Sequence, residues 1–145
     1  MPFPANFYPD ASDEIKKLIM HYSRGGLGYF SAYLKPTNTF IGAGNLSYVN
    51  PEDEVSDIEV GFIISRSFWG QGFASEVGQA LIKYGFKDLS LEKIIGETHS
   101  KNIASQKTLK KSGLSFVSGD VRFGGVTVNR YVITKDEWLQ NSKSY

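Results

Sequence analysis

No cysteine occurs among the 145 residues. Its absence excludes disulfides, thiolate nucleophiles and cysteine-ligated metal centres together, and suits a reducing compartment. Histidine is almost as scarce: His21 and His99 lie far apart in the sequence and form no pair of metal-ligand spacing, so no metal is expected. Charge of one sign is not in excess either. Sixteen Lys and Arg against 15 Asp and Glu leave a net charge of +1, so no global field recruits nucleic acid or an anionic membrane, and any anion site must be local. No apolar run approaches the ~20 residues needed to span a bilayer. The opening "MPFPANFYPD" lacks the cationic start and apolar centre of a secretory signal. These absences predict a soluble, cytoplasmic protein, and the length suits a single domain over residues 1–145.

What is present divides the chain into recognisable elements. Three prolines within residues 1–10 predict an irregular lead-in. Ser12 offers an N-cap for "DEIKKLIMHYS", a short helix with Ile15, Leu18, Ile19 and Tyr22 on one face, ended by "RGGLG". "YFSAYLK" and "FIGAGNLSYV" are rich in β-formers and separated by "PTNT", which predicts an antiparallel hairpin. "DIEVGFIIS" is nearly continuous in apolar residues after Glu59, as a central strand covered on both faces would be. From Phe73 the period changes: Phe73, Val77, Ala80, Leu81 and Tyr84 share a helical face through about Phe86. "EKIIGETH" is a second central-strand candidate, Asn102 can cap a helix through Lys111, and Gly113 sits where that helix needs a left-handed stop. "LSFVSG" and "VTVNRYVIT" read as closing strands and "KDEWLQNSKSY" as a tail or a last turn. The order strands, helix, strand, helix, strands gives an α/β class.

Between a strand and a helix stands "SRSFWGQGFASE", with Gly70 and Gly72 inside a bulky aromatic run. Glycine there permits positive φ or close approach of another group, and the following helix N-terminus exposes unpaired N–H groups that attract phosphate. A P-loop is excluded because Gly72 is followed by Phe73 and Ala74 rather than by Lys and a hydroxyl residue. A dinucleotide fingerprint would need glycine where Ser75 stands, in a strand that opens the fold rather than one that follows a hairpin.

"EVGFIISRSFWGQGFASEVGQALIKYGF" resembles the acyl-CoA-binding segment of the GNAT-type N-acetyltransferases, especially the branch that acetylates the N-termini of ribosomal proteins. Trp69-Gly70-Gln71-Gly72-Phe73-Ala74 matches that family's Gln/Arg-x-x-Gly-x-Gly/Ala pattern, with Trp69 departing from it at the first position. "NIASQKTLKKSGLSFV" is similar to the family's Asn-x-x-Ser…Lys-x-Gly-Phe helix, with Leu114 in place of Phe, and "YVITKDEW" resembles the same branch. The resemblance runs from Phe30 to Trp138. It implies the acyl-CoA N-acyltransferase fold: a mixed central sheet, helices on both faces, and a splayed central strand pair. The resemblance implies a strand and a helix before the segment Ser12 to Tyr22, and with so few residues ahead of Ser12 they are expected to be missing.

The resemblance also implies site residues. Backbone of Phe62, Ile63 and Ile64 is expected to pair with the pantetheine amides, with the oxyanion donor at Phe62 or Ile63. Backbone of Gly70, Gln71, Gly72, Phe73, Ala74 and Ser75 is expected at the diphosphate, with Arg66 or Lys107 as charge partners, and Asn102 at the pantetheine. Direct transfer from acetyl-CoA to an amine needs a base, for which Glu59, the sole carboxylate of its strand after Asp57, is the candidate. An α-amino group asks less of that base than a lysine does, because at pH 7 it is about 1 kcal/mol from its neutral form against about 4.6. The family's frequent acid, a tyrosine, is replaced by Leu109. Ser105, or more weakly Tyr131, is the substitute. The expected partners are acetyl-CoA and an amine acceptor, which includes a protein N-terminus, and a homodimer is left open. The rival expectation is a module that binds acyl-CoA without transferring from it, and a third is an interaction domain with no CoA affinity.

Overall fold

The computed structural model describes residues 25–50, 52–53, 56–123 and 125–142. The expected helix at Ser12 to Tyr22 lies outside them. The first two strands, β1 (Gly28–Leu34) and β2 (Thr39–Tyr48), form the expected antiparallel hairpin, and the turn between them passes through Asn38 at φ 54°, a conformation asparagine tolerates. β3 (Ile58–Ile64) adds antiparallel to β2. A short 3₁₀ turn, Arg66–Phe68, leads to α1 (Phe73–Lys87), β4 (Lys93–His99) and α2 (Ile103–Lys111). β5 (Ser115–Phe123), β6 (Val126–Thr134) and α3 (Lys135–Ser142) complete the described chain.

The six strands form one mixed sheet in the order β1-β2-β3-β4-β6-β5. Among the described strands only the β3–β4 contact is parallel, and it is held at a single pair, Glu59 opposite Ile95. The strands on either side pair along their length, so the sheet is split at its centre. This is the splayed pair expected from the resemblance.

Alternation along the strands gives the two faces different work. Leu46, Val60, Ile94, Tyr131 and Ile133 are buried in one cluster with Leu81, Ile82 and Phe86 of α1 and Leu109 of α2, so among the described residues both helices cover the same face. Burying such side chains stabilises by roughly 1.5–3 kcal/mol each. α2 ends as its sequence predicts: Gly113 takes φ 105°, and Leu114 N–H bonds the Leu109 carbonyl at 3.1 Å, the pattern of a Schellman stop.

The segment from Lys135, read as a tail or a last turn, is a helix through Ser142. Thr134 and Glu137 form a reciprocal capping box: Thr134 N–H donates to Glu137 Oε1 at 3.1 Å, and Glu137 N–H donates to Thr134 Oγ1 at 3.2 Å. The helix this starts, α3, sets Trp138 against Phe86, ring centroids 5.6 Å apart.

Candidate active site

Where β3 and β4 part, a cleft of about 660 Å³ opens between the end of β3, the first turn of α1 and one side of α2 along its length. That volume suits a small-molecule ligand. β3 contributes Phe62, Ile63 and Ile64, and the connection to α1 contributes Phe68, Trp69, Gly70 and Gly72. Phe73, Ala74 and Ser75 open α1 along one wall. Asn102, Ala104, Ser105, Lys107, Thr108 and Lys111 of α2 form the other.

The wall at α1 is built from bare backbone. Gly70 and Gly72 take φ 76° and 83°, the left-handed region that a β-branched residue enters only with strain. Gly72 is the N-cap, with no side-chain hydrogen bond to the helix start. A Cβ on either glycine would meet no other atom within 4 Å, so the space above the turn is open. At α2 the helix start is closed by its own side chain, since Asn102 Oδ1 accepts from the Ser105 N–H at 3.1 Å.

β3 adds a second set of unpaired backbone groups. Val49 N–H donates to the Asp57 carbonyl at 2.8 Å, and Ser65 N–H donates to the Ile41 carbonyl at 2.7 Å. These two bonds fix the phase of the antiparallel ladder: Glu59, Gly61 and Ile63 turn their N–H and C=O toward β2, and Val60, Phe62 and Ile64 turn theirs toward β4. With β4 diverging after Glu59, the N–H and C=O of Phe62 and the N–H of Ile64 face the split. The Ile64 carbonyl is taken by the Trp69 indole, Nε1 donating at 2.6 Å. Ile63 is therefore corrected both as an oxyanion donor and as backbone for the pantetheine amides: its N–H and C=O belong to β2, and only its exposed side chain reaches the cleft.

Glu59 stands at the root of the split. Its carboxyl is pushed up from 4.5 to about 7, first by burial and then by the neighbouring charge of Glu97. Burial removes water from the carboxylate, and a second carboxylate nearby makes ionisation harder still. A group near 7 can accept a proton at neutral pH and release it again. The expectation of a central strand covered on both faces is met on one face only: Val60 and Ile64 are buried, while on the other face Glu59 and Gly61 are half-buried and Ile63 is exposed among the described residues.

Two other candidates stand elsewhere. The Tyr131 ring is in the core, 1% exposed, and its hydroxyl is 3.2 Å from Gln106 Oε1. It does not line the cleft, so its role as acid loses its geometric basis. The Arg66 guanidinium lies 5.6 Å over the Trp69 ring and also misses the lining, because the 3₁₀ turn carries it outward. The Gln71 side chain is exposed between the two lining glycines. Ser105 and Lys107 do line the cleft, and they are joined by Ala104, Thr108 and Lys111. Helical spacing from Ala104 and Lys107 points to Thr108 and Lys111 on the same face, a signal present in the sequence. Phe68 had no such signal. Among the described residues no group of three or more His, Asp or Glu is placed to hold a metal, and no described helix is long and apolar enough to cross a membrane.

Residues 3–115 match the acetyltransferase (GNAT) domain. Over 102 residues the chain is 37% identical to FsC-acetyl coenzyme A-N(2)-transacetylase of Aspergillus fumigatus, covering 65% of this chain and 43% of that protein. Over 92 residues it is 37% identical to the uncharacterized N-acetyltransferase p20 of Bacillus licheniformis, covering 63% and 49%. The chain thus spans less than half the length of either relative. Among solved structures it superposes on the spermidine/spermine N-acetyltransferase SpeG of Vibrio cholerae with a TM-score of 0.73 at 20% identity, covering 93% of this chain and 82% of that one. On an aminoglycoside acetyltransferase in complex with coenzyme A the TM-score is 0.70 at 15% identity, covering 83% and 73%. At these identities the likeness is one of fold.

Proposed function

This chain belongs to the acetyltransferase (GNAT) family, and we propose that as a single domain it moves the acetyl group of acetyl-CoA directly to a primary amine. The observation that carries the reading is the position of Glu59: a half-buried carboxyl pushed up to about 7 at the single β3–β4 pair, where the strands part beside the cleft. Acetyl-CoA fits the cleft as three kinds of group. The bare start of α1, Gly70 to Ser75, suits the diphosphate, with Lys107 and Lys111 as nearby cations. The outward N–H and C=O of Phe62 and the N–H of Ile64 suit the pantetheine amides as an added strand would. The thioester then lies toward Glu59, where a β3 N–H can stabilise an oxyanion.

The acceptor nitrogen passes one proton to Glu59, directly or through water, and its lone pair forms the C–N bond to the thioester carbonyl carbon. Breakage of the C–S bond releases the thiol, which takes the second nitrogen proton, with Ser105 the candidate relay. Glu59 returns its own proton to water, so ammonium and thioester become amide, thiol and one released proton. The match of Glu59 to the acceptor favours an α-amino group. With values of about 7 and about 7.7 the proton transfer costs about 1 kcal/mol, against about 4.6 for a lysine side chain near 10.4. That preference, with the sequence resemblance, supports the branch that acetylates protein N-termini, and a small-molecule amine is the other acceptor class.

Calorimetry with acetyl-CoA and desulfo-CoA, then thiol release against peptides, aminoglycosides and polyamines, tests the reading. Micromolar binding with amine-dependent thiol release is expected. Binding without turnover on any amine would return a CoA-binding module, and no binding at millimolar acetyl-CoA would remove both.

A further inference from the structure

The face of the sheet turned away from α1 and α2 carries polar side chains at its centre. Glu97 lies two residues beyond Ile95 on the same face as Glu59, and Arg130 is its partner across β6. Arg130 Nη2 donates to Glu97 Oε2 at 3.3 Å. The other oxygen, Glu97 Oε1, has no hydrogen-bond partner among the described residues, although only 7% of the side chain is accessible. A buried carboxylate oxygen without a donor is costly.

The neighbouring groups add acceptors. Asn45 Nδ2 donates to Ser47 Oγ at 2.9 Å, which turns the amide so that Oδ1 occupies the place a Cβ would take on Gly61. Gly61 pairs with Asn45 and lies two residues from Glu59, so β3 puts no side chain between Asn45 and the split. Three adjacent strands thus present Asn45 Oδ1, the Glu59 carboxylate and Glu97 Oε1 on one face. The described charges on β3, β4 and β6 around them have partners. Lys93 is paired with Asp57 at 2.8 Å; Arg130, with 30% of its side chain accessible, is ion-paired with Glu97 through Nη2, its Nε having no hydrogen-bond partner among the described residues; His99 Nδ1 accepts from the Lys101 N–H at 3.0 Å. With Glu59 ionised, one negative charge is left unbalanced among the described side chains.

We propose that Asn45, Glu59 and Glu97 form a recognition site for a protonated primary amine, with Arg130 holding Glu97 in position. An alkylammonium has three N–H donors, no acceptor and one positive charge, which complements three acceptors and one unbalanced negative charge. The site deepens the transfer reading and rests on it for its purpose: the acceptor is captured as the cation prevalent at neutral pH, and Glu59 removes its proton at the mouth of the split.

The test is carbon NMR of protein labelled at the glutamate carboxyls, titrated with butylammonium chloride and, at matched ionic strength, with tetramethylammonium chloride, which has no N–H. Butylammonium is expected to shift the Glu59 and Glu97 signals saturably and to lower the pH midpoint of Glu59, since a bound cation favours the carboxylate. Glu97→Gln should weaken the response roughly tenfold or more, as loss of a charged hydrogen-bond acceptor does. Asn45→Ala should weaken it severalfold, which gives a second variant should the first fail to fold. No shift at tens of millimolar butylammonium, or equal shifts with tetramethylammonium, would overturn the site. Calorimetry with acetyl-CoA on the same samples separates the two readings: lost butylammonium response with retained acetyl-CoA binding removes the amine site alone, and the converse removes the transfer reading alone.

Discussion

The two helices that flank the cleft begin in opposite ways. α1 starts at Gly72, in a left-handed conformation with no side chain to cover its first amides. α2 starts at Asn102, whose side chain satisfies the Ser105 amide. Four N–H groups are orphaned at every helix start, so the same problem is left open at one wall and solved internally at the other. The open end is available to an external anion, and the closed end holds α2 in place as a wall. In the proposed reading the α1 wall offers an anion its backbone, and the α2 wall offers the side chains Ser105, Lys107 and Lys111.

The largest effect should come from neither helix. If the helix ends bind and the root of the strand split does chemistry, Glu59→Gln should lower kcat by about 10²-fold or more while acetyl-CoA affinity by calorimetry stays within about twofold. Equal losses in both would break the division. In the wild type the rate should rise with pH and level off above about 7, where Glu59 holds its proton half the time. The stability sign is opposite. A carboxyl raised from 4.5 to about 7 keeps in the folded state a proton that the unfolded chain has lost, so its stabilisation is full below 4.5 and disappears as pH rises to about 7. Glu59→Gln should remove that decline from thermal unfolding measured across the interval.

Next in size is Gly72→Val, expected to weaken desulfo-CoA binding roughly tenfold or more, because a β-branched residue at φ 83° costs of order 1–3 kcal/mol or forces the turn to move. Gly72→Asn sharpens the comparison: asparagine tolerates the left-handed region, so weakened binding there reports blocked access and not a displaced turn. Asn102→Ala should lower stability by about 1 kcal/mol in chemical denaturation and change cofactor affinity little. A large affinity loss would mean that Asn102 meets the ligand as well as capping its helix. Smallest are Lys107→Ala and Lys111→Ala, each expected to weaken binding about twofold to fivefold at low salt, with the effect fading as salt screens it.

Much of the fold was legible because it is written in local chemistry. The hairpin, the period change at Phe73, the Asn102 cap and the Gly113 stop each need only neighbouring residues, and each stands where the pattern predicts. The start of α3 was legible too, in the Thr134-x-x-Glu137 spacing, although that tail reads as irregular if its polar residues alone are counted. Other features had no local signal. Whether Ile63 or its neighbours offer free amides depends on the phase of the β2–β3 ladder, which the bond from Ser65 to Ile41 reveals. Tyr131 belongs to a strand that alternates like any other, and its burial follows from which face α2 covers.

The amino-acid order alone determined the elements, the glycine turn at Gly70 and Gly72, and the family, because caps, periodicity and left-handed turns are set within a few residues. Only the tertiary structure decided that β3 and β4 touch at one pair, that Glu59 is half-buried beside Glu97, and that among the described residues one Glu97 oxygen has no hydrogen-bond partner. Those properties depend on desolvation and on charges brought together from strands far apart in the chain, and neither is a property of any short stretch of sequence.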